Sequence, residues 1–101
     1  MLVAFSVAPA VAADDTGSVS EAVAAAIRVV RESGLPNRTD AMFTTVEGEW
    51  DEVIAVVKGA VDAVAADSPR VSLVLKADIR PGFTGELDAK VARIEGLLAG
   101  A

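Results

Sequence analysis

The side chains that could bind or transform a small molecule are concentrated between Met42 and Val57. Two hydroxyl groups, on Thr44 and Thr45, precede four carboxylates and the single tryptophan of the chain. Those later residues are Glu47, Glu49, Trp50, Asp51 and Glu52. Hydroxyl groups can both donate and accept hydrogen bonds, and carboxylates attract cations or hold Mg²⁺ or Ca²⁺ through oxygen. The pattern predicts a site for a polar or cationic ligand.

Each of these residues also has a purely structural explanation. Threonine is common in strands, and acidic residues are common in the first turn of a helix, where Glu49, Asp51 and Glu52 fall. Glu47 precedes that turn and is therefore the stronger ligand candidate. Trp50 could stack on a cationic ring, but it shares an apolar helical stripe, which favours packing in the core or against another subunit.

Composition restricts the class of protein. A chain of 101 residues predicts one domain, residues 1–101, and 52% hydrophobic with only 4% aromatic residues predicts a core of small and branched aliphatic side chains. The net charge of −6 argues against nucleic acid as a partner. The chain has no Cys, His or Tyr and no phosphate-binding glycine motif, which argues against an enzyme. A carboxylate-based enzyme is the alternative.

The apolar start of the chain resembles a signal peptide without its defining features. No Lys or Arg precedes the run from Leu2 to Ala13, Pro9 interrupts it, and it is shorter than the ~20 residues that cross a bilayer. We therefore expect a cytoplasmic protein that does not bind membranes.

Periodicity predicts alternating strands and helices. Leu2–Ala8 and Arg70–Arg80 alternate with a period of two, and 39–47 indicates one bent strand or two short ones with a break near Phe43–Thr45. Apolar helical stripes begin at Ser18, after Gly48 and at Leu87. Ser18 is predicted to form a capping box with Glu21, and residues 9–17 are predicted to form a loop. This order predicts an α+β, ferredoxin-like split βαβ fold: an antiparallel sheet with an added C-terminal helix.

In that fold the helices cover one face of the sheet. The other face would carry Ala4, Ser6, Ala8, Ser72 and Val74, which are small or apolar and have no covering layer in the chain. We therefore predict a homo-oligomer, a dimer or tetramer, joined through the sheet faces. The small neighbours of Ser6 leave room for a ligand ring. Asp78, which alternates with Lys76 and Arg80, could bind a ligand amine or an arginine of a second subunit.

The segment Met42–Val53, with Glu32–Pro36 before it and Ser68–Val71 after it, resembles the thiamine-binding protein family, also known as UPF0045 or the MTH1187/YkoF-like group. The resemblance covers nearly the whole chain. It implies a ferredoxin-like fold, dimers or tetramers formed through the sheets, and a non-catalytic cytoplasmic binder of thiamine or its hydroxymethylpyrimidine half. An aminopyrimidine needs both hydrogen-bond donors and acceptors, which Thr44 and Thr45 supply.

Three positions depart from the family pattern. Phe43 stands where the family commonly has glycine, Lys76–Arg80 lacks one carboxylate of the family's Lys-Ile-Asp-Asp-Arg, and Pro9–Val11 replaces Pro-Leu-Gly. The predicted ligand-binding residues are Ser6, Met42, Phe43, Thr44, Thr45, Glu47 and Asp78, with no catalytic residue, metal or cofactor. The alternative function is a regulatory or structural homo-oligomer that binds another small ligand.

Overall fold

The computed structural model describes residues 1–10 and 18–100, without the side chains of Ser18 and Val19. The elements are β1 (Leu2–Pro9), α1 (Ser18–Glu32), β2 (Asn37–Thr39), β3 (Thr44–Glu47), α2 (Trp50–Ala65), β4 (Val71–Asp78) and α3 (Glu86–Gly100). The four strands form one antiparallel sheet in the order β2-β3-β1-β4. This is the predicted ferredoxin-like α+β fold with an added C-terminal helix.

The first strand, β1, lies at the centre of the sheet because its alternating side chains suit both faces. Val3, Phe5 and Val7 are buried against the helices, whereas Ala4 and Ser6 lie on the opposite face, called here the open face. Burying a valine or phenylalanine side chain contributes about 1.5–3 kcal/mol. This strand is therefore the main apolar surface onto which the helices pack.

Helices α1 and α2 complete the core on that face. Ala26 and Val30 of α1 are fully buried, and so are Val53 and Val64 of α2. A Cβ at Gly59 would lie only 3.0 Å from a methyl group of Val29, so glycine allows the two helices to approach closely.

The segment between α1 and α2 forms two strands, but the predicted position of the break was wrong. β2 begins at Asn37 and ends at Thr39, and the turn occupies residues 40–43 rather than 43–45. The carboxylate of Asp40 causes this shift, because Oδ1 accepts hydrogen bonds from the backbone N–H groups of Met42 and Phe43, both at 2.8 Å. Thr44 is therefore already a strand residue.

Acidic residues define the beginning of α2. Glu49 is the N-cap, and it forms a reciprocal capping box with Glu52, whose Oε1 accepts the Glu49 N–H at 3.1 Å. Trp50 is 53% exposed, so it does not pack in the core of this chain, and its packing against another subunit stays a prediction. The indole therefore lies outside the packed stripe of α2, whose buried residues begin with Val53 and Val57.

The C-terminal helix α3 packs only through its first turns. From Val91 to Gly100 every residue is exposed, including the apolar stripe Val91, Ile94, Leu97 and Leu98. The radius of gyration of 15.3 Å exceeds the ~13 Å typical of a compact chain of this length, as expected when one helix extends from the body.

Two sequence predictions fall outside the described part of the chain. The side chain of Ser18, and with it the Ser18–Glu21 capping box, is not described, and neither are residues 11–17 of the predicted loop. Within the described residues, no helix is both long enough and apolar enough to cross a bilayer.

Candidate functional site

The seven predicted ligand residues occupy three places on the sheet. Met42, Phe43 and Thr44 lie at the β2–β3 hairpin, where Thr44 is paired with Phe5 of β1. Glu47 and Asp78 both lie opposite Leu2, at the other end of β1 and on the open face. The two remaining residues are Ser6 and Thr45. Since three residues of a strand span roughly 10 Å, a single ring cannot contact both ends of the sheet within one chain.

The hairpin end contains a depression of about 220 Å³ between the hairpin, β1 and α1, called here the hairpin depression. It is lined by Phe5, Ser6, Val7, Ala8, Val23, Ala26, Ile27 and residues 39–44. Four predicted site residues, Ser6, Met42, Phe43 and Thr44, are among them. The walls are mainly apolar, and the few polar groups come from the hairpin. A mainly apolar concavity with a few placed polar groups is typical of small-ligand sites.

Thr44 supplies the buried polar group of the hairpin depression. It is only 4% exposed, and its Oγ1 lies 3.2 Å from Oγ1 of Thr39 on the neighbouring strand. Each hydroxyl can take part in a further hydrogen bond, because one contact uses only one of its three bonding positions. The threonine pair can therefore offer both a donor and an acceptor to a ligand.

The two residues of the turn differ in exposure. Met42 is 74% exposed at the rim, whereas Phe43 is partly buried. Both are fixed by Asp40, whose hydrogen bonds to the Phe43 and Met42 backbone N–H groups hold the pKa of its carboxyl below the ordinary value of 3.8. Sequence reasoning missed Asp40 and Thr39. The sequence does contain a signal for this turn, because Asp40 lies between two threonine-containing segments and aspartate often accepts hydrogen bonds from the backbone of a turn.

Thr45 and Ser6 both lie on the open face of the sheet, opposite to the face on which Phe5 is buried. Thr45 pairs with Ala4, whereas Thr44 pairs with Phe5, so the two threonines point to opposite faces. Ser6 lies among the residues of the hairpin depression, but its position between buried Phe5 and Val7 directs its side chain to the open face. One ring cannot use both threonine hydroxyls from the same side of the sheet.

At the other end of the sheet, Glu47 caps α3. Its Oε2 accepts the backbone N–H of Glu86 at 2.8 Å, and its Oε1 lies 3.5 Å from the N–H of Leu87. The first backbone N–H groups of a helix have no partner within the helix, and a carboxylate also complements the positive end of the helix dipole. Glu47 is 7% exposed, so this contact accounts for its burial.

Further ion pairs surround this cap. Arg93 contacts the carboxylate of Glu86 at 2.8 Å, and Arg38 of β2 contacts Asp88 at 2.6 Å. Asp78 is paired with Lys90, and this hydrogen bond, with the charge of Lys90, holds the pKa of the Asp78 carboxyl below its ordinary value. The Arg38–Asp88 and Asp78–Lys90 pairs join α3 to the sheet, whereas the Arg93–Glu86 pair lies within α3.

A smaller depression of about 160 Å³ lies beside Trp50 and Phe83. The guanidinium of Arg80 stacks over the Phe83 ring at 3.5 Å from its centre, so a cation of the chain itself occupies that ring face. Ligand stacking on Trp50 stays a prediction. Among the described residues, no cluster of three or more potential metal-ligating side chains is present.

The fold and the hairpin depression together define the class of protein: a ferredoxin-like α+β protein with a ring-sized concavity beside its β2–β3 hairpin. The sequence model of a family described as "Thiamine-binding protein" matches residues 3–95. The chain belongs to this thiamine-binding protein family.

Relatives and solved structures agree with this assignment. The chain is 58% identical over 99 residues to a UPF0045 protein of Mycobacterium bovis, an alignment that covers 97% of the chain and 94% of the relative. A solved Bacillus cereus domain, described as DUF77 and of unknown function, has a TM-score of 0.78 and 36% identity, over 89% of this chain and 85% of the domain. A Thermotoga maritima protein described as a putative thiamine biosynthesis/salvage protein has a TM-score of 0.73 and 28% identity, over 90% and 96% of the two chains.

Proposed function

We propose that this chain is a cytoplasmic, non-catalytic binding protein of one domain, residues 1–101, and that it binds thiamine or its hydroxymethylpyrimidine half in the hairpin depression. The observation that carries the proposal is the Thr39–Thr44 hydroxyl pair in a mainly apolar concavity of about 220 Å³. Pockets for drug-sized ligands occupy about 300–1,000 Å³, so this volume suits a single substituted ring. The family description and the Thermotoga maritima neighbour support the ligand class.

The chemistry of the walls matches an aminopyrimidine. Its flat faces pack on apolar side chains such as Phe43 and Ile27, while its ring nitrogens and amino group require an acceptor and a donor, which the two hydroxyls supply. The net charge of −6 favours the approach of the cationic thiazolium of thiamine over that of an anion.

Binding without turnover is supported by what surrounds this site. The chain has no His, Cys or Tyr to act as a nucleophile or a base. Asp40 is the carboxylate among the residues that line the hairpin depression, and hydrogen bonds from the Phe43 and Met42 backbone N–H groups lower its pKa and favour the ionised form. A group with a lowered pKa is a weak base, so Asp40 is poorly suited to proton transfer.

The same proposal includes a homo-oligomer, a dimer or tetramer, that stacks through the open faces. Ala4, Ser6 and Ala8 of β1 are only partly buried there, and Val74 of β4 is 56% exposed. An apolar sheet face that is only partly buried within one chain is stabilised when the same face of a second copy of the chain packs against it. Ser6, Thr45, Glu47 and Asp78 would then contribute to binding only if a ligand also lies between two stacked faces.

Calorimetry and thermal shift with thiamine, hydroxymethylpyrimidine and the thiazole half test the proposal. Ligand at about 100 times its dissociation constant should raise the free energy of unfolding by about 2.7 kcal/mol. Thr44→Val should weaken hydroxymethylpyrimidine binding about fivefold, because one hydrogen bond contributes about 1 kcal/mol. Thr84→Val, the same change in the exposed segment before α3, is the matched control and should leave the affinity unchanged.

Two outcomes contradict the proposal. Absence of binding by all three ligands at millimolar concentration would exclude the ligand class. Weaker binding in Thr45→Val with normal binding in Thr44→Val would place the ligand on the open face instead of in the hairpin depression.

A further inference from the structure

A second depression adjoins the hairpin depression on the side of α1. It occupies about 460 Å³, is called here the arginine depression, and is lined by Ala24, Ile27, Arg28, Arg31 and Thr39. Ile27 and Thr39 also line the hairpin depression, so the two concavities share a wall. A ligand whose ring lies in the hairpin depression can therefore extend a substituent towards the two arginines.

The helical period brings the two arginines to this place. Residues 24, 27, 28 and 31 are three or four positions apart, so they form one stripe along α1. Ile27 is half-buried, whereas Arg28 and Arg31 are exposed. The stripe thus combines an apolar base with two cationic groups that a ligand can reach.

Neither arginine has an anionic partner among residues 1–10 and 18–100. The ion pairs of that part of the chain use Arg38, Lys58, Lys90 and Arg93. Glu32 follows Arg28 by four positions, which is the spacing of a helical ion pair, but these two residues form none. Like charges three or four positions apart on a helix destabilise it slightly, and an anion between the two guanidinium groups would remove that repulsion.

The helix dipole accounts for only one of the two arginines. Arg31 lies in the last turn of α1, where a cation complements the negative end of the dipole. Arg28 comes before that turn, and the influence of the dipole is confined to the end of the helix. The dipole therefore leaves Arg28 unexplained.

The acidic groups of the chain do not neutralise this place. Asp40 lines the hairpin depression, but its Oδ1 accepts the backbone N–H groups of Met42 and Phe43 at 2.8 Å, so its charge is used by the turn. The net charge of −6 belongs to the whole chain, and salt screens exposed charges beyond about 8 Å. The local charge beside the ring position is therefore that of the two arginines.

We propose that the arginine depression binds the phosphate group of a ligand whose pyrimidine ring lies in the hairpin depression. The ligand class is then a phosphate ester of hydroxymethylpyrimidine, in which one methylene group and one oxygen join the ring to the phosphorus. Guanidinium groups bind phosphate oxygens through paired, charge-assisted hydrogen bonds. This inference rests on the proposed function, because it uses the same ring position.

The volumes agree with a ligand of this size. The hairpin depression, at about 220 Å³, is smaller than the about 300–1,000 Å³ of sites for drug-sized ligands, whereas the arginine depression extends it into that range. Thr39 lines both concavities, so its hydroxyl lies between the ring position and the phosphate position. A ring that carries a phosphate uses concave surface that the ring alone leaves empty.

Calorimetry with hydroxymethylpyrimidine, its phosphate ester and inorganic phosphate tests the inference. The native protein should bind the ester about tenfold more tightly than the free alcohol, because each exposed ion pair contributes roughly threefold in affinity. This preference should decrease as the salt concentration rises. Inorganic phosphate, which lacks the ring, should bind much more weakly than the ester.

Arg28→Gln and Arg31→Gln are the test variants. Each should reduce the preference for the ester over the alcohol from about tenfold to about threefold, because one of two ion pairs is lost. Arg70→Gln is the matched control and should retain the full preference. Arg70 is also exposed and outside the ion pairs of the described residues, but it precedes β4, on the other side of β1 from β2.

The possible failures separate this inference from the proposed function. Equal affinity of the native protein for the ester and the alcohol, or the same preference in the test variants and the control, would overturn the phosphate site and leave the proposed function standing. Inorganic phosphate that binds as tightly as the ester would show that the ring takes no part. Absence of binding by both pyrimidine compounds would contradict the proposed function and this inference together.

Discussion

The polar residues at the two ends of β1 differ in how far their hydrogen bonds are satisfied within the described chain. At the end near Leu2, the carboxylates of Glu47, Glu86 and Asp78 are each paired with the α3 backbone or with a basic side chain. At the hairpin end, the hydroxyls of Thr39 and Thr44 bond to each other and to no other group of the described residues, beside a concavity. Polar groups that are already paired stabilise the fold, whereas partly satisfied groups beside a cavity remain able to bind a ligand.

This difference divides the segment that looked like one functional patch in the sequence. Thr44 and Glu47 are three residues apart in β3, yet the first faces the hairpin depression and the second caps α3. Side chains alternate between the two faces along a strand, so residues three apart point to opposite faces. The elements that lie against each face then determine what each side chain contacts.

The largest expected effect is at the α3 end. Glu47→Ala should lower the free energy of unfolding by about 1–2 kcal/mol, because two helix N–H groups lose their acceptor. Chemical denaturation measures this, and Glu47→Gln, which retains an acceptor oxygen, is the control and should lose less. Equal stability of the Ala and native proteins would contradict the assignment of Glu47 to capping.

A smaller effect is expected at the helical glycines. Gly96 of α3 has open space around it, so Gly96→Ala should raise stability by about 0.5–1 kcal/mol through helix propensity alone. Gly59→Ala should gain less or lose stability, because its Cβ would lie 3.0 Å from Val29. Equal gains in thermal denaturation would show that α1 and α2 are not closely packed there.

The smallest effect concerns the turn at the hairpin end. The Asp40 pKa is lowered by bonds from the Phe43 and Met42 N–H groups, so its charged form stabilises the native state above the unfolded pKa of about 3.8. That contribution is lost as the pH falls through the lower folded pKa. Asp40→Asn, which cannot ionise, should therefore show a weaker fall in stability between pH about 5 and about 2. Parallel acid denaturation curves for the two proteins would contradict this role.

Much of the fold could be predicted because its signals are local. Strict alternation in β1 and β4, and apolar stripes in the helices, give the split βαβ order directly. The hairpin break was misplaced because the side chain of Asp40, rather than the threonine-rich pattern, determines where the strand stops. The exposure of Trp50 could not be predicted because periodicity locates the apolar face of a helix but does not show which of its residues the rest of the chain covers.

The site could be predicted only in part, for a physical reason. Thr44 was selected by its chemistry and does line a concavity, but its partner Thr39 lies on another strand and is joined to it only by the hairpin register. The contacts of Glu47 and Asp78 with α3 span 39 and 12 residues of sequence. Interactions between such distant residues leave no periodic pattern in the sequence.

The central claim is that the ligand binds at the hairpin end of the sheet and not at the α3 end. Titration of hydroxymethylpyrimidine into isotope-labelled protein, followed by amide chemical shifts, tests this claim most directly. The account predicts that the largest shifts fall in 39–44 and in the neighbouring part of β1. Largest shifts at Glu47, Asp78 and the first turn of α3 would contradict it.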